Sequence, residues 1–276
     1  MKPAPFTYIR PQTVQEVLQH LARHGSEARI LAGGQSLMAM LNLRLVEPSV
    51  LIDISRLTAL GEIKLANGYI EVGAAVTQAE LLAWPHLQRE APFIAQALPW
   101  VGHFQTRNRG TVCGSISHAD PSSELPLALA LLEGEAVLRS TRGERRLKAR
   151  DYQTGMLQTA RREDELLVAV RFPTGIGSQG SAFREVARRH GDFAIVSAGV
   201  VRRSGQLRIG IGGVADRPSC LEVADTISPA DLTKRVEQLA WDLGGYDDIH
   251  ASARFRRDLV RRLVPSLISE IMPCPA

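Results

Sequence analysis

The sequence predicts an α+β fold in three lobes. Three observations carry that expectation. A chain of 276 residues is long for one hydrophobic core. Its opening alternates helix and strand signals in a β-loop-α-β order, and from Phe183 onward the pattern turns to β-rich runs followed by helix signals. Pattern changes near residues 57 and 174 divide the chain into lobes 1–57, 58–174 and 175–276.

Thr13-Val14-Gln15-Glu16 has capping-box spacing and leads the apolar positions Val17, Leu18 and Leu21 toward Gly25, which reads as an amphipathic first helix. Ala28 to Ala32 is a short apolar strand running into Gly33-Gly34, and Val50 to Ile54 is a second. Ile63-Lys64-Leu65 and Tyr69-Ile70-Glu71-Val72 flank Asn67-Gly68, a strong hairpin signal that brings in antiparallel strands. Thr77 to Glu80 offers another capping box, and helical segments over 78–98 and 125–133 bracket a polar, glycine-containing stretch at 102–124. A loop of that length is either functional or a misassignment, and its residues favour the functional loop. Strands at 135–140, 145–148 and 166–172 complete the middle lobe. The last lobe reads as strands over 195–202 and 206–214, a helix announced by Ser228-Pro229, and a second long helix over 251–271.

Composition narrows the function. Hydrophobic residues make up 45% and charged residues 22%, ordinary globular values, and no apolar run approaches the length of a membrane span. Prolines interrupt MKPAPFTYIRPQT where a signal peptide needs its apolar run, so a cytoplasmic protein without a transmembrane segment is expected. Cys113, Cys220 and Cys274 form no CxxC, which argues against a disulfide framework, a zinc site or an iron–sulfur cluster held by this chain. The net charge of +4 is mildly basic, yet aromatics are only 5% and do not interleave with the arginine clusters, so nucleic-acid binding is not expected.

Two segments carry chemistry. In Ile30-Leu31-Ala32-Gly33-Gly34-Gln35-Ser36-Leu37 a strand turns through paired glycines into a short helix, presenting successive backbone N–H groups that suit an anion. The glycines remove the Cβ atoms that would hold a diphosphate away, and Gln35 and Ser36 add donors. An ordinary strand-to-helix turn accounts for the same residues. TVCGSISHADPSSELP at 111–126 supplies hydroxyls, His118 and the carboxylates Asp120 and Glu124. A polar cofactor would satisfy them, and so would internal caps and turns.

Together, AGGQSL at 32–37, Arg107-Asn108-Arg109-Gly110 and TVCGSISHADPSSELP resemble the flavin subunit of carbon monoxide dehydrogenase and related molybdenum hydroxylases. The xanthine dehydrogenase flavin domain is a more distant relative. The resemblance continues through Phe183 to Arg189 with Asp192-Phe193-Ala194, and through Asp248 to Ala253, so it spans nearly the whole chain. It implies a PCMH-type FAD-binding fold: two N-terminal α/β subdomains plus a C-terminal domain with an antiparallel sheet and helices. It also implies noncovalent FAD, with the diphosphate held by the backbone of Ile30 to Leu37 and by the Thr111, Val112, Cys113, Gly114, Ser115 turn. Glu124 matches an acidic cofactor contact, Leu167 an apolar one, Arg184 a basic one and Val101 an apolar one by a looser match. Leu167 and Val101 read equally as core residues. Ser117 and Asp120 are further polar contacts.

The resemblance implies an electron-transfer subunit without catalytic residues of its own. Electrons reach its FAD from the [2Fe-2S] clusters of an iron–sulfur small subunit, after substrate hydroxylation at the molybdenum cofactor of a molybdopterin-binding large subunit, and leave for an external acceptor. A dimer of such heterotrimers fits the pattern. A stand-alone flavoprotein oxidase or reductase and a flavin-free assembly scaffold are the rival readings. One departure is Cys113, which stands where relatives have the first glycine of Thr-X-Gly-Gly. If that turn needs positive φ, its Cβ costs about 1–2 kcal/mol. A reactive thiol beside the flavin and a buried inert cysteine are the two roles it could have.

Overall fold

The computed structural model describes residues 2–272. The first lobe holds β1 (Thr7–Ile9), α1 (Val14–His24), β2 (Ala28–Leu31), α2 (Leu37–Asn42) and β3 (Val50–Asp53). Its three strands form a parallel sheet in the order β1-β3-β2. Thr13 caps α1 by accepting from the Glu16 N–H at 3.2 Å, while the Glu16 carboxylate takes the Gln12 N–H at 2.9 Å. The expected reciprocal box therefore reaches one residue further back than its spacing suggests. Val17, Leu18 and Leu21 are buried, as the helical spacing requires.

The middle lobe runs through β4 (Ile63–Ala66), β5 (Tyr69–Gly73), α3 (Gln78–Ala83), α4 (Leu87–Glu90), α5 (Pro92–Ala97), α6 (Phe104–Arg107), α7 (Val112–His118) and α8 (Glu124–Leu131). It ends with β6 (Glu135–Ser140), β7 (Gly143–Lys148), α9 (Ala149–Tyr152), the hairpin β8 (Gln153–Gly155) and β9 (Gln158–Thr159), and β10 (Leu166–Pro173). An antiparallel sheet orders its long strands β4-β5-β10-β6-β7. Asn67 and Gly68 both take positive φ, 51° and 74°, as a two-residue hairpin turn demands. Thr77 and Glu80 form a complete capping box.

The stretch 102–124 is not the long loop expected from its polarity. Two short helices, α6 and α7, interrupt it, and Thr111, expected in a turn, is the N-cap of α7. Hydroxyl-rich, glycine-containing TVCGSISH has poor intrinsic helix propensity; packing of α7 against β5, β10 and α8 overrides it.

The last lobe is a meander, β11 (Ser181–Val186), β12 (Val196–Arg203), β13 (Gln206–Gly212) and β14 (Ser219–Ala224), followed by α10 (Pro229–Asp242) and α11 (Ala253–Ile271). β14 carries no sequence signal strong enough to announce it. Ser228 and Ser252 cap the two helices. Among the described residues no helix is long and apolar enough to cross a membrane. Cys274 lies outside them.

Two apolar cores result. One runs under both the first and second sheets; the other lies between the last sheet and α10 and α11. The last sheet is covered on both faces. Ala182, Val196, Ala198, Val200, Leu207, Ile209 and Ile211 belong to the α10–α11 core. On its other face, Cβ atoms placed at Gly199, Gly210 and Gly212 would collide with Phe93 and Leu131, Leu127, and Ser197 respectively. That strip of glycines lets α8 lie close against the sheet. α8 is apolar all round, with every residue but Ala130 buried, because helices of its own lobe close its remaining sides.

Candidate functional site

The two chemistry-bearing segments meet through backbone. β2 ends at Leu31, and the chain turns at Gly33 and Gly34, the latter at φ 72°, before α2 begins. A Cβ on Gly33 would lie 2.0 Å from the Arg109 carbonyl oxygen and 2.7 Å from the Gly110 Cα, so only glycine permits this contact. Gly110 in turn accepts from the Gln78 N–H at 2.9 Å, and the Val112 N–H donates to the Val76 carbonyl at 3.1 Å. The Arg109–Thr111 strip is thereby pinned between the first loop and the start of α3.

Among the described residues no acceptor takes the backbone N–H of Gly33, Gly34, Gln35 or Ser36. These groups, half-buried apart from the exposed Gln35, form a concave row of donors without side chains at the two glycines. Such a row suits an anion with several oxygens. At the neighbouring segment the Thr111 hydroxyl accepts from the Gly114 N–H at 2.9 Å. A Cβ on Gly114 would lie 2.7 Å from that hydroxyl oxygen, so the glycine keeps the cap closed.

Cys113 does not occupy a left-handed turn. It is a helical residue, 2% exposed, with its side chain in the core and its thiol 3.4 Å from the Val72 carbonyl. Burial holds the thiol well above its ordinary range. The position tolerates a Cβ without backbone strain, and the thiolate a nucleophile requires is disfavoured there.

Ile30 and Leu31 lie on β2, and Leu37 opens α2, all half-buried beside the loop with Ala32. Ser115 and Ser117 lie on α7, the Ser117 hydroxyl 3.4 Å from the Tyr152 hydroxyl. Asp120 closes a turn by accepting from the Ser122 N–H at 2.9 Å. Glu124 opens α8 and is 4% exposed; burial pushes its carboxyl up to about 7, Asp120 adding to the rise and its own helix-start N–H and Arg107 opposing it. Arg107 also ties this region together by donating to the Val101 and Gly102 carbonyls at 3.0 and 2.9 Å.

Val101 and Leu167 are buried members of the first core. Arg184 stands apart. It projects from the α11 side of β11, where it meets Ser266 and Glu270, each at 3.0 Å. Strand alternation instead turns its neighbour Glu185 to the face that packs on α5, where burial and then Glu124 push its carboxyl up to about 8. Sequence reasoning missed Glu185, because each face of β11 carries one charged residue and alternation alone does not say which is covered. A second missed feature is the seam between lobes, where His190 stacks on Trp100 at 5.4 Å and Gly191 fits against the His103 ring. An open recess of about 420 Å³ between Gly102, His103, Phe104, Arg107 and His190 lies along it.

Residues 4–175 match the model of a FAD binding domain in molybdopterin dehydrogenase, and residues 181–271 that of the CO dehydrogenase flavoprotein C-terminal domain. The chain is 32% identical to the alpha subunit of the 6-hydroxypseudooxynicotine dehydrogenase complex of Paenarthrobacter nicotinovorans, over 99% of this chain and 96% of that one. It superposes with a TM-score of 0.90 on a chain of quinoline 2-oxidoreductase from Pseudomonas putida 86, at 34% identity and 98% coverage of each. A chain of the carbon monoxide dehydrogenase of Hydrogenophaga pseudoflava matches with a TM-score of 0.90 at 27% identity, covering 99% of this chain and all of that one.

Proposed function

Because the chain belongs to the FAD-binding family of the molybdopterin dehydrogenases, we propose that it holds FAD noncovalently and serves as the electron-transfer subunit of a molybdenum hydroxylase. The observation that carries this reading is the row of unpaired N–H groups at Gly33 to Ser36, pressed through Gly33 against the strip that leads into Thr111. A row of donors without a Cβ at its centre fits a diphosphate and leaves no room for a bulkier side chain in its place. FAD supplies the redox chemistry, taking up and releasing two electrons, and the protein supplies binding, orientation and electrostatics.

In this reading Ile30 to Leu37 and Thr111 to Ser115 hold the diphosphate, largely by backbone. Ser117, Asp120 and Glu124 offer acceptors to hydroxyl and N–H groups further along the cofactor. Val101 and Leu167 act from the core, setting the wall behind the site. Arg184 belongs to the set by resemblance, while its present partners on α11 direct it to the opposite face of β11.

The same proposal supplies the surroundings: an iron–sulfur small subunit, a molybdopterin-binding large subunit, a dimer of heterotrimers and a cytoplasmic location, with the three-lobe division at 57 and 174 as its domain plan. The reading is tested by the visible spectrum of the purified chain before and after acid precipitation. A yellow protein that releases FAD to the supernatant supports it. Flavin retained in the pellet indicates a covalent flavoprotein instead, and a colourless chain that takes up no added FAD leaves only a scaffold. Recovery of iron–sulfur and molybdenum subunits on gentle purification tests the partner assignment.

A further inference from the structure

Between the β11–β12 connection, 188–195, and the segment 246–256 at the start of α11 lies a second cavity of about 350 Å³, with Ser122 in its wall. Among the described residues its wall includes none of those read as FAD contacts. Arg256 braces both segments. Its guanidinium donates to the Ile195 and Gly213 carbonyls, to the Tyr246 carbonyl at 3.2 Å and to Asp248, and it lies 4.2 Å from the centroid of the Tyr246 ring. The cavity is therefore formed before any ligand arrives, which spares a ligand the cost of ordering it.

The polar groups of the wall divide into those already matched and those left over. Asp192 accepts from Arg189 at 3.2 and 3.3 Å. Asp248 accepts from Arg256 at 2.6 Å and from the His250 and Ala251 N–H groups, each at 2.8 Å. Both carboxylates are thus spent. Arg188 and His250 are exposed, and among the described residues neither side chain has a hydrogen-bond or ion-pair partner. The Ser122 hydroxyl has none either, in a residue only 9% exposed. What remains is a cation without a counter-charge and donors without acceptors, in a space at the lower end of the range for small-molecule sites. Phe193, 59% exposed, adds an apolar surface.

We propose that this cavity is a ligand site separate from the flavin's, and that it takes a small organic anion, a carboxylate or a phosphate ester, whose charged group is met by Arg188 and the Ser122 hydroxyl and whose flat body lies on Phe193. A cation would find no free carboxylate there, and a neutral molecule would leave the Arg188 charge unused. A charge-assisted bond from arginine to an oxyanion is roughly twice as strong as a neutral one, so the anionic group carries the affinity. The site stands whether or not FAD occupies the N–H row at Gly33 to Ser36.

The test uses the full-length chain with the subunits that accompany it, with FAD bound and after its removal. Calorimetric titration at low salt with phenyl phosphate and with benzoate should show at least one of them binding about tenfold or more tighter than neutral benzamide. Tighter phenyl phosphate assigns a phosphate ester, and tighter benzoate a carboxylate. Arg188→Met should weaken the preferred anion by about tenfold, whereas Arg235→Met, which removes an equal charge from the exposed side of α10, should leave it unchanged. In the wild type the same anion should slow hydrogen exchange over 188–195 and 246–252. Binding of neither anion, benzamide binding as tightly as both, an equal loss in the two arginine variants, or unchanged exchange over those segments overturns the site and leaves the FAD reading standing. Loss of anion binding when FAD is added makes the cavity part of the cofactor's own site and overturns its separateness. The exchange measurement needs no variant, so a misfolded Arg188→Met would not remove the test.

Discussion

Gly33 illustrates how much one missing Cβ decides. The Arg109 carbonyl occupies the space a methyl would need. Gly33→Ala should therefore separate the two loops, lowering stability by about 1–3 kcal/mol and abolishing FAD retention, as read by urea melts and flavin absorbance. Cys113 gives the opposite expectation. Because its side chain sits in the core and away from the unpaired N–H row, Cys113→Gly should lower stability by about 1–2 kcal/mol through helix propensity and lost burial, with FAD affinity changed less than about twofold. A larger fall in affinity would place the thiol at the cofactor after all. The turn at the glycine pair was legible because Gly-Gly after a strand marks one, with an anion loop and an ordinary strand-to-helix turn reading alike. The contact of Gly33 with Arg109 was not, since nothing in either segment announces the other as its neighbour. Glu185 was hidden for a related reason: a glutamate in an amphipathic strand reads as solvent-facing until a second layer is known to cover that face.

At the scale of elements, α1 and the Asn67–Gly68 hairpin were read directly because each carries its own local chemistry, a cap or a positive-φ turn. α7 carries its cap too, but its hydroxyls and glycine argue against a helix, and tertiary packing outweighs them. Thr111→Ala removes the acceptor of the Gly114 N–H. A loss of about 1 kcal/mol is expected in thermal melts, together with weaker FAD binding because the N-terminus of α7 frays. Thr111→Ser should restore both. If Ala and Ser variants bind FAD equally, the cap is structural only. α8 was located but its burial on all sides was not, as a helix without a polar face gives no hint of what will surround it.

Across the whole molecule, the mixed helix and sheet architecture was readable from pattern changes, whereas the way its sheets and helices share surfaces was not. Arg256 shows why. Although it stands in the basic run Arg254 to Arg262, it is 1% exposed, donating to the Ile195 and Gly213 carbonyls at 2.6 and 2.8 Å and to Asp248 at 2.6 Å. Arg256→Met leaves the Ile195 and Gly213 carbonyls without their donor and should destabilise the last lobe by about 1–3 kcal/mol, with hydrogen exchange rising first over residues 188–195. Unchanged exchange there would show that the strands alone hold that loop. The glycine-lined face of the last sheet has a consequence for synthesis. While the ribosome has released only the first two lobes, Leu127 and Leu131 of α8 have no wall, because Gly199, Gly210 and Gly212 have yet to emerge. The side of α8 that carries Leu127 and Leu131 therefore faces water until the meander arrives to cover it.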